Sequence, residues 1–282
     1  MMILSIQSHV AFGRVGNRSA VFPLELLGHE VVVINTVQFS NHTGYGEWTG
    51  EIFPAHHIRD VILGIEKRGG LNCEAILSGY MGLPEIGTTI LDAVDRVRAQ
   101  VPDAVYCLDP VMGDYGRGFF VQPTIPEFIK NEALKRASIV TPNQFEAEFL
   151  SDMKIGDEND AREACNRIRA QGPQTVLITS FNETNDSISI YLSDNGQDWL
   201  ITTSRLPLIP PPNGAGDLTA ALFLGRYLQS KNASEALEKM ANAVFAVFQK
   251  TYDAGSRELR IVDARFELME QQNLKFKIKR VC

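Results

Sequence analysis

The sequence predicts a doubly wound α/β fold, in which a mostly parallel sheet lies between two layers of helices. Short runs rich in Val, Ile and Leu alternate along the chain with amphipathic stretches of helical periodicity. These runs are apolar at consecutive positions rather than at every second one, which is typical of parallel strands buried on both faces. Strands and helices that alternate in this order predict helical crossovers and therefore a parallel sheet.

This alternation accounts for the chain up to Phe181. The apolar runs are predicted strands: Ile3–Ile6, Val31–Asn35, Ala75–Ser78, Val105–Leu108, Ile139–Val140 and Thr175–Ile178. The stretches between them are predicted helices, near residues 16–27, 55–68, 85–99, 124–136 and 157–170.

Beyond Phe181 the pattern changes to a hairpin, a proline-rich segment and two helices. The hairpin strands are predicted at Ser187–Leu192 and Trp199–Thr203, on either side of the turn residues 194–196. Alternating apolar and lysine residues over Leu274–Ile278 predict an edge strand. The second helix carries a core-facing apolar stripe at spacings of three and four: Leu237, Met240, Val244 and Val247.

Composition and charge exclude several functional classes. The net charge of −7 argues against a sequence-independent grip on nucleic acid phosphates. No apolar run approaches the ~20 residues of a membrane span, and Met2–Ile6 has the pattern of a strand rather than of a leader, so a cytoplasmic location is expected. Without an internal repeat or a linker, residues 1–282 are predicted to be one domain. The cysteines lack metal-ligand spacing and are expected to be reduced: Cys73, Cys107, Cys165 and Cys282.

The segment Gly214-Ala215-Gly216-Asp217 precedes a predicted helix and indicates an anion-binding turn. Two glycines separated by one residue let backbone amides turn toward one point, where the helix N-terminus adds its partial positive charge. Such a turn binds phosphoryl oxygens, and Asp217 is placed to accept a proton from an attacking alcohol. An ordinary helix start with an N-terminal Asp explains the same residues, because glycine turns are common.

Two more segments follow predicted strands and carry oxygen ligands. Asp109 ends a buried strand, at the edge where the sites of open α/β sheets lie, and Asp114 follows it around a Pro/Gly turn. This carboxylate pair suits Mg²⁺, although a turn without a ligand explains it too. Farther along, Asn143 and Glu146 match a capping box at a helix start. That capping role is compatible with a place beside a metal and phosphates.

The first two strands are followed by polar and aromatic residues that suit a small-molecule pocket. Gln7–His9 and Val37–Tyr45 both follow predicted strands, so both are expected to line one crevice. A small aromatic heterocycle with polar substituents requires such a lining, to which Tyr80 adds another ring. The phosphate loop GxxxxGK[ST] and the protein-kinase motifs are absent from the sequence.

Together these residues resemble the ribokinase-like superfamily and, within it, the pyridoxal kinases. The resemblance runs in order from Ser8 to about residue 250. The matching segments are Ser8-His9-Val10, Gly16-Asn17, Val37–Tyr45, Ser78-Gly79-Tyr80, Asp109–Asp114, Thr141–Glu148, Gly172-Pro173, Ile178-Thr179-Ser180 and Gly214–Asp217.

The resemblance implies a fold, a reaction and an assembly. The fold is ribokinase-like: a Rossmann-like, three-layer arrangement with a mostly parallel central sheet flanked by helices on both faces. The reaction is transfer of the γ-phosphate of MgATP to the 5′-hydroxyl of pyridoxal, with pyridoxine and pyridoxamine as related acceptors, in vitamin B6 salvage. The cofactors are Mg²⁺ and a monovalent cation, expected to be K⁺. The assembly is a homodimer.

The resemblance also implies a role for each matched site residue. Asp217 matches the catalytic base, and the anion hole matches Gly214, Ala215 and Gly216. The positions that contact pyridoxal match Ser8, Thr43, Gly44 and Tyr80. The region for Mg²⁺, the monovalent cation and the phosphates matches Asp109, Asp114, Thr141 and Glu146. Positions that contact ATP match Asn143, Thr179 and Ser180.

Some positions depart from the pattern of the family. Thr179 stands where some bacterial relatives carry Lys, so no lysine is expected to compensate phosphate charge there. Ala215 stands where relatives often have Thr or Val, which a backbone cradle tolerates. The proline-rich segment Pro207–Pro212 borders the expected adenine pocket, and His42–Trp48 is a candidate lid.

Two other functions explain part of the same pattern. A hydroxymethylpyrimidine kinase shares the fold and the reaction but takes a different ring, whereas Ser8 and the loop Phe39–Tyr45 favour a pyridine. A non-catalytic vitamin B6 carrier would keep the ring pocket, but it has no need of Asp217 and the two glycines beside it.

Overall fold

The computed structural model describes residues 1–270 and 274–281 of the chain. Its strands are β1 (Met2–Val10), β2 (Glu30–Phe39), β3 (Gly50–Ile52), β4 (Ala75–Ser78), β5 (Val105–Leu108), β6 (Gly113–Asp114), β7 (Gly118–Phe119), β8 (Ile139–Val140), β9 (Thr175–Phe181), β10 (Ser187–Asp194), β11 (Gln197–Ser204) and β12 (Lys279–Val281). Its helices are α1 (Asn17–Leu26), α2 (Ala55–Glu66), α3 (Pro84–Gln100), α4 (Thr124–Phe128), α5 (Leu134–Arg136), α6 (Gln144–Ser151), α7 (Glu158–Arg169), α8 (Ala215–Ser230), α9 (Ala233–Asp253) and α10 (Arg265–Met269). A π-helical turn, Ile129–Ala133, joins α4 to α5, and a 3₁₀ turn covers Thr43–Tyr45.

One mixed sheet runs through the molecule in the strand order β12-β11-β10-β9-β8-β5-β4-β1-β2-β3. The strands from β9 to β2 in this order pair in parallel, and those beyond them at both ends pair antiparallel. The prediction of a mostly parallel sheet is therefore confirmed. A separate small hairpin is formed by β6 and β7.

Two apolar cores cover the two faces of this sheet, which explains the continuous apolar runs. In β1, Ile3 faces one core while Leu4 and Ile6 face the other. Helices α2, α3, α6 and α7 pack on the core that contains Leu4, and α1, α8, α9 and α10 pack on the core that contains Ile3. The helices on both faces confirm the predicted three-layer arrangement. In the predicted stripe of α9, Leu237, Met240 and Val247 are buried and Val244 packs beside them.

The hairpin predicted after Phe181 is present as β10 and β11. Asn195 and Gly196 have positive φ angles of 48° and 80°, as a two-residue type I′ turn requires. The edge strand predicted over Leu274–Ile278 is wrong in its position, since the strand is β12. The backbone of Phe276 pairs with the Asn242 side chain at 2.9 Å instead of with a strand, and the Ile278 amide donates to Glu238 at 3.0 Å.

The strand order reverses at β1, because β2 lies on one side of it and β4 on the other. The carboxyl ends of these parallel strands open a crevice at that point, where α/β sheets of this kind bind ligands. No helix within the described residues is both long and apolar enough to cross a membrane. Cys73, Cys107 and Cys165 are buried free thiols, and Cys282 lies outside the described residues.

Candidate active site

The turn before α8 requires glycine at position 214. Gly214 has φ +86°, and a Cβ atom on it would lie 1.7 Å from the carbonyl oxygen of Arg14. The Ser19 hydroxyl donates a hydrogen bond of 3.0 Å to the carbonyl oxygen of Gly214. The turn is thus fixed against the segment that enters α1, and the backbone amides at the start of α8 are directed into the crevice.

Asp217 lies in the first turn of α8, directly after this anion-binding turn. Burial raises the pKa of its carboxylate above the ordinary value, and the backbone amides of Gly16 and of Asp217 itself act in the opposite direction. A Cβ atom on Gly16 would lie 2.1 Å from the carbonyl oxygen of Ser8. Gly16 therefore brings Ser8, at the end of β1, next to Asp217. Gly16 matches the family pattern, but the sequence alone indicated no role for it.

Asp109 follows β5, which is separated from β1 by β4 in the sheet. It adds a carboxylate to the crevice. It is 4% exposed, and its Oδ2 atom has no hydrogen-bond partner in the described part of the chain. A Cβ atom on Gly216 would lie 3.7 Å from this oxygen, so the free oxygen faces the anion-binding turn. Burial, then the charges of Asp217 and Glu146, raise the pKa of Asp109 well above its ordinary value.

Thr141 and Glu146 lie beside Asp109, at the end of β8 and the start of α6. The Thr141 hydroxyl is buried and, among described residues, makes no hydrogen bond of normal geometry. The Glu146 carboxylate accepts backbone amides from Met112 at 2.8 Å, Gly113 at 3.4 Å and Asn143 at 2.9 Å. Burial outweighs these bonds and raises the pKa of Glu146 to about 7. The predicted capping box of Asn143 and Glu146 is present.

The remaining residues matched to nucleotide and metal positions lie at the start of α6, in β6 and in β9. Asn143 donates to the carbonyl oxygen of Gly113 at 2.8 Å and forms an isolated bridge with Thr179 at the end of β9. Ser180 follows Thr179 with φ +53°. The side chain of Asp114 is exposed, and its Oδ1 accepts the Tyr115 amide at 2.7 Å. Within residues 1–270 and 274–281, no three His, Cys, Asp or Glu side chains form a preformed metal cluster.

The matched ring-binding residues lie near the ends of β1 and β2 and in the 3₁₀ turn. Tyr80 is half-buried and packs on the apolar cluster Val10, Val15, Val37 and Phe39, at the ends of β1 and β2. Thr43 and Gly44 are exposed in the 3₁₀ turn, where a Cβ atom on Gly44 would lie 3.7 Å from Asn213 Nδ2. The structure thus places an apolar patch and a polar turn next to the anion-binding turn.

Two residues that the sequence analysis did not single out contact this 3₁₀ turn from beyond α9. The Arg257 guanidinium lies 3.7 Å from the centroid of the Tyr45 ring, and the Tyr45 hydroxyl donates to Glu258 Oε1 at 2.5 Å. These contacts join residues more than 200 positions apart, so no local pattern could have indicated them.

The groups in the crevice can bind an anion, accept a proton and bind a cation. The amides of the Gly214–Gly216 turn bind anionic oxygens, Asp217 accepts a proton beside them, and the free oxygens of Asp109 and Thr141 suit a hard cation. A site that joins an anion cradle, a base and cation ligands is suited to phosphoryl transfer to an alcohol.

The chain is similar to proteins of one family along almost its whole length. A pyridoxal kinase of Rubrobacter xylanophilus is 48% identical over 285 residues, which cover 99% of this chain and 97% of the relative. A pyridoxal kinase of Granulibacter bethesdensis is 50% identical over 277 residues, with 95% and 96% covered. The pyridoxal kinase of Leishmania donovani, solved in complex with ADP and pyridoxamine, has a TM-score of 0.92 at 30% identity and covers 100% of this chain and 99% of its own.

The model of the phosphomethylpyrimidine kinase family matches residues 28–261. That span runs from just before β2 to the segment after α9, and therefore includes all candidate site residues except Ser8 and Gly16. Because the relatives match nearly end to end at 48% and 50% identity, the chain belongs to the pyridoxal kinase family, within the broader group that the phosphomethylpyrimidine kinase model describes.

Proposed function

We propose that the chain is a pyridoxal kinase, which transfers the γ-phosphate of ATP to the 5′-hydroxyl of pyridoxal and thereby forms pyridoxal 5′-phosphate in vitamin B6 salvage. The observation that carries the proposal is the contact of Asp217 with the Gly16 amide, beside Ser8 and next to the Gly214–Gly216 turn. It brings a base, an anion cradle and the end of β1 to one point. The names of the curated relatives support the same acceptor.

Asp217 acts in this proposal as the proton acceptor. Burial raises its pKa, which makes it a stronger base than an exposed carboxylate, while two backbone amides keep the ionised form present. The amides of Gly214, Ala215 and Gly216 bind the oxygens of the transferred phosphoryl group, where charge accumulates during an in-line displacement. The protein contributes mainly position and electrostatic stabilisation.

The oxygen atoms at the ends of β5 and β8 fit the cations that the reaction uses. Asp109 Oδ2 and Thr141 Oγ1 are buried oxygens without a hydrogen bond of normal geometry in the described chain, and Thr141 lies close enough to lower the pKa of Asp109. Hard cations prefer oxygen ligands of this kind. The proposal assigns Asp109, Asp114, Thr141 and Glu146 to Mg²⁺ and to a monovalent cation, expected to be K⁺. When bound, Mg²⁺ neutralises phosphate charge. Glu146 adds negative charge at this point, although its oxygens already accept backbone amides.

Pyridoxal and ATP occupy different parts of the crevice in this proposal. The pyridoxal ring lies between Tyr80 and the 3₁₀ turn, in contact with Ser8, Thr43 and Gly44. ATP lies along the segments that contain Asn143, Thr179 and Ser180. The proposal also includes a homodimer located in the cytoplasm, which sedimentation of the purified protein and cell fractionation would test.

A second function, phosphorylation of a hydroxymethylpyrimidine, is favoured by the family model that matches residues 28–261. The reaction and the base would be the same, and only the ring would differ. A non-catalytic vitamin B6 carrier is a weaker alternative. Its pocket would not need a carboxylate such as Asp217 beside the anion-binding turn.

The test is ATP consumption by the purified protein with pyridoxal, Mg²⁺ and K⁺, with pyridoxal phosphate measured by its absorbance. We expect one product molecule for each ADP, and a higher kcat/KM for pyridoxal than for hydroxymethylpyrimidine when the two alcohols compete. A preference for the pyrimidine would replace the proposed acceptor. Binding of pyridoxal without ATP turnover would indicate the carrier.

A further inference from the structure

The loop that the proposed function assigns to the acceptor substrate is held by two charged residues from a distant part of the chain. Arg257 stacks on the Tyr45 ring at 3.7 Å and also donates to the carbonyl oxygen of Gly44 at 3.1 Å. Glu258 accepts the Tyr45 hydroxyl at 2.5 Å. The 3₁₀ turn is therefore fixed through its ring, its hydroxyl and its backbone at the same time.

Glu258 also contacts the segment that supports the anion-binding turn. Its Oε2 atom accepts the amide of Arg14 at 2.9 Å, while a Cβ atom on Gly13 would lie 2.8 Å from the same oxygen. Arg14 in turn places its carbonyl oxygen against Gly214. One carboxylate thus joins the 3₁₀ turn to the segment on which the Gly214–Gly216 turn rests.

The base of this connection is anchored in the helical layer. The Ser256 amide donates to the carbonyl oxygen of Thr251, and the Arg260 amide donates to the Thr251 hydroxyl, both at 3.0 Å. Thr251 is fully buried in α9, and the neighbours of the charged pair, Leu259 and Ile261, are buried in the core. Arg257 and Glu258 therefore project from a segment that is packed on both sides of them.

We propose that Arg257 and Glu258 form a clamp that positions the 3₁₀ turn Thr43–Tyr45 relative to the Gly214–Gly216 turn, and so sets the affinity for the acceptor alcohol. The inference rests on the proposed function, because it takes the 3₁₀ turn as part of the acceptor site. Both residues are positioning residues that act through Tyr45, Gly44 and Arg14. They have no assigned contact with either substrate.

The clamp predicts a selective effect on the acceptor. The Tyr45→Phe variant keeps the ring that Arg257 covers and loses only the hydrogen bond to Glu258. The Glu258→Gln variant keeps the shape of the side chain but has one acceptor oxygen instead of two, whereas Glu258 accepts both the Tyr45 hydroxyl and the Arg14 amide. We expect each variant to raise KM and the equilibrium Kd for pyridoxal about tenfold, as befits a lost hydrogen bond to a charged group. KM for ATP and the melting temperature should change little.

A double-mutant cycle that combines Tyr45→Phe with Glu258→Gln shows whether Tyr45 and Glu258 act through one contact. If they do, the double variant raises the Kd for pyridoxal hardly more than the larger single change. Glu163→Gln is the matched control, because it breaks an exposed pair between Arg167 Nε and Glu163 Oε1 (2.9 Å) within α7, which packs on the opposite face of the sheet from α9. This control should leave both KM values unchanged.

The outcomes separate the clamp from the proposed function. The Kd for pyridoxal is measured without ATP, by the absorbance change of the bound aldehyde. A wild-type protein that neither binds nor phosphorylates pyridoxal would remove the proposed function, and the clamp with it. An active wild type whose Tyr45→Phe and Glu258→Gln variants keep the original Kd would remove the clamp alone. Equal losses for both substrates together with a lower melting temperature would also overturn it, since they indicate a general structural role.

Discussion

The acceptor wall of the site, formed by Ser8, Gly16, Gly214 and Asp217, adjoins a carboxylate wall formed by Asp109, Thr141 and Glu146. In the acceptor wall two backbone amides stabilise the ionised Asp217 carboxylate, and Gly16 and Gly214 pack tightly on neighbouring backbone. In the carboxylate wall two oxygens have no partner in the described chain, and the pKa values of both carboxyl groups are raised.

The difference shows how each wall obtains its geometry. The acceptor wall is complete without a ligand, because its own hydrogen bonds and close contacts define the positions of its groups. The carboxylate wall places negative charges close together at a buried site, which costs free energy until a cation binds. Substitutions in the acceptor wall should therefore reduce catalysis. Substitutions in the carboxylate wall should reduce the repulsion between its negative charges.

The largest effect is expected for Asp217→Asn. The amide keeps the shape of the side chain but cannot accept the proton of the 5′-hydroxyl, so kcat should fall by at least about 100-fold. The melting temperature and the KM for ATP should stay near the wild-type values, which differential scanning calorimetry and steady-state kinetics would check. Turnover close to that of the wild type would remove Asp217 from the chemistry.

A smaller loss is expected for Gly214→Ala, because the new Cβ atom would lie 1.7 Å from the carbonyl oxygen of Arg14. Relief of this clash must displace the anion-binding turn, so kcat/KM should fall by about tenfold or more. Gly28→Ala is the matched control: Gly28 has φ +82° but no atom within 4 Å of the added Cβ. The control should lose about 1 kcal/mol of stability and no activity. Similar activity losses in the two variants would contradict the assignment of the turn.

The smallest effect concerns stability without a cation. Because the folded-state pKa of Glu146 is raised from 4.5 to about 7, the folded protein binds more protons than the unfolded chain between these values. The contribution of Glu146 to stability is therefore largest in acid and is lost as pH rises through about 7, and Asp109 acts in the same direction. In chelator at pH 8, Asp109→Asn should raise the melting temperature by roughly 2–5 °C.

Addition of Mg²⁺ and ATP should then stabilise the wild type more than Asp109→Asn, since a cation binds better to the charged wall. Thermal scans from pH 5 to pH 8, with and without Mg²⁺ and ATP, measure both effects. If Asp109→Asn has the same melting temperature as the wild type at pH 8 in chelator, the charges of Asp109 and Glu146 do not destabilise the folded protein.

Most of the fold was predictable because buried parallel strands leave a clear local signal. The predicted strand Ile3–Ile6 lies within β1, whose polar end, Gln7 to His9, lacks that signal although it continues the strand. The hairpin β6–β7 was not predicted, since its strands are only two residues long. The edge strand was misplaced because its position depends on Asn242 and Glu238, which lie in α9.

The site also contains some features that the sequence indicates locally and others that depend on distant residues. Gly214 and Asp217 stand next to each other in the sequence, so their chemistry was visible in a short motif. The hydrogen bond from Gly16 to Asp217 and the contacts of Glu258 join distant parts of the chain, and only the fold brings them together. The raised pKa values of Asp109 and Glu146 likewise depend on burial, which residue spacing does not give.

The two outer strands of the ten-stranded sheet bear on how the protein behaves at high concentration. An unpaired sheet edge can recruit a strand from another molecule, and short, charged edge strands resist this. Here β3 and β12 have three residues each and carry Glu51 at one edge and Lys279 and Arg280 at the other. Both edges are thus poor templates for intermolecular β-pairing, so the wide sheet should not promote aggregation, and self-association should proceed through other surfaces.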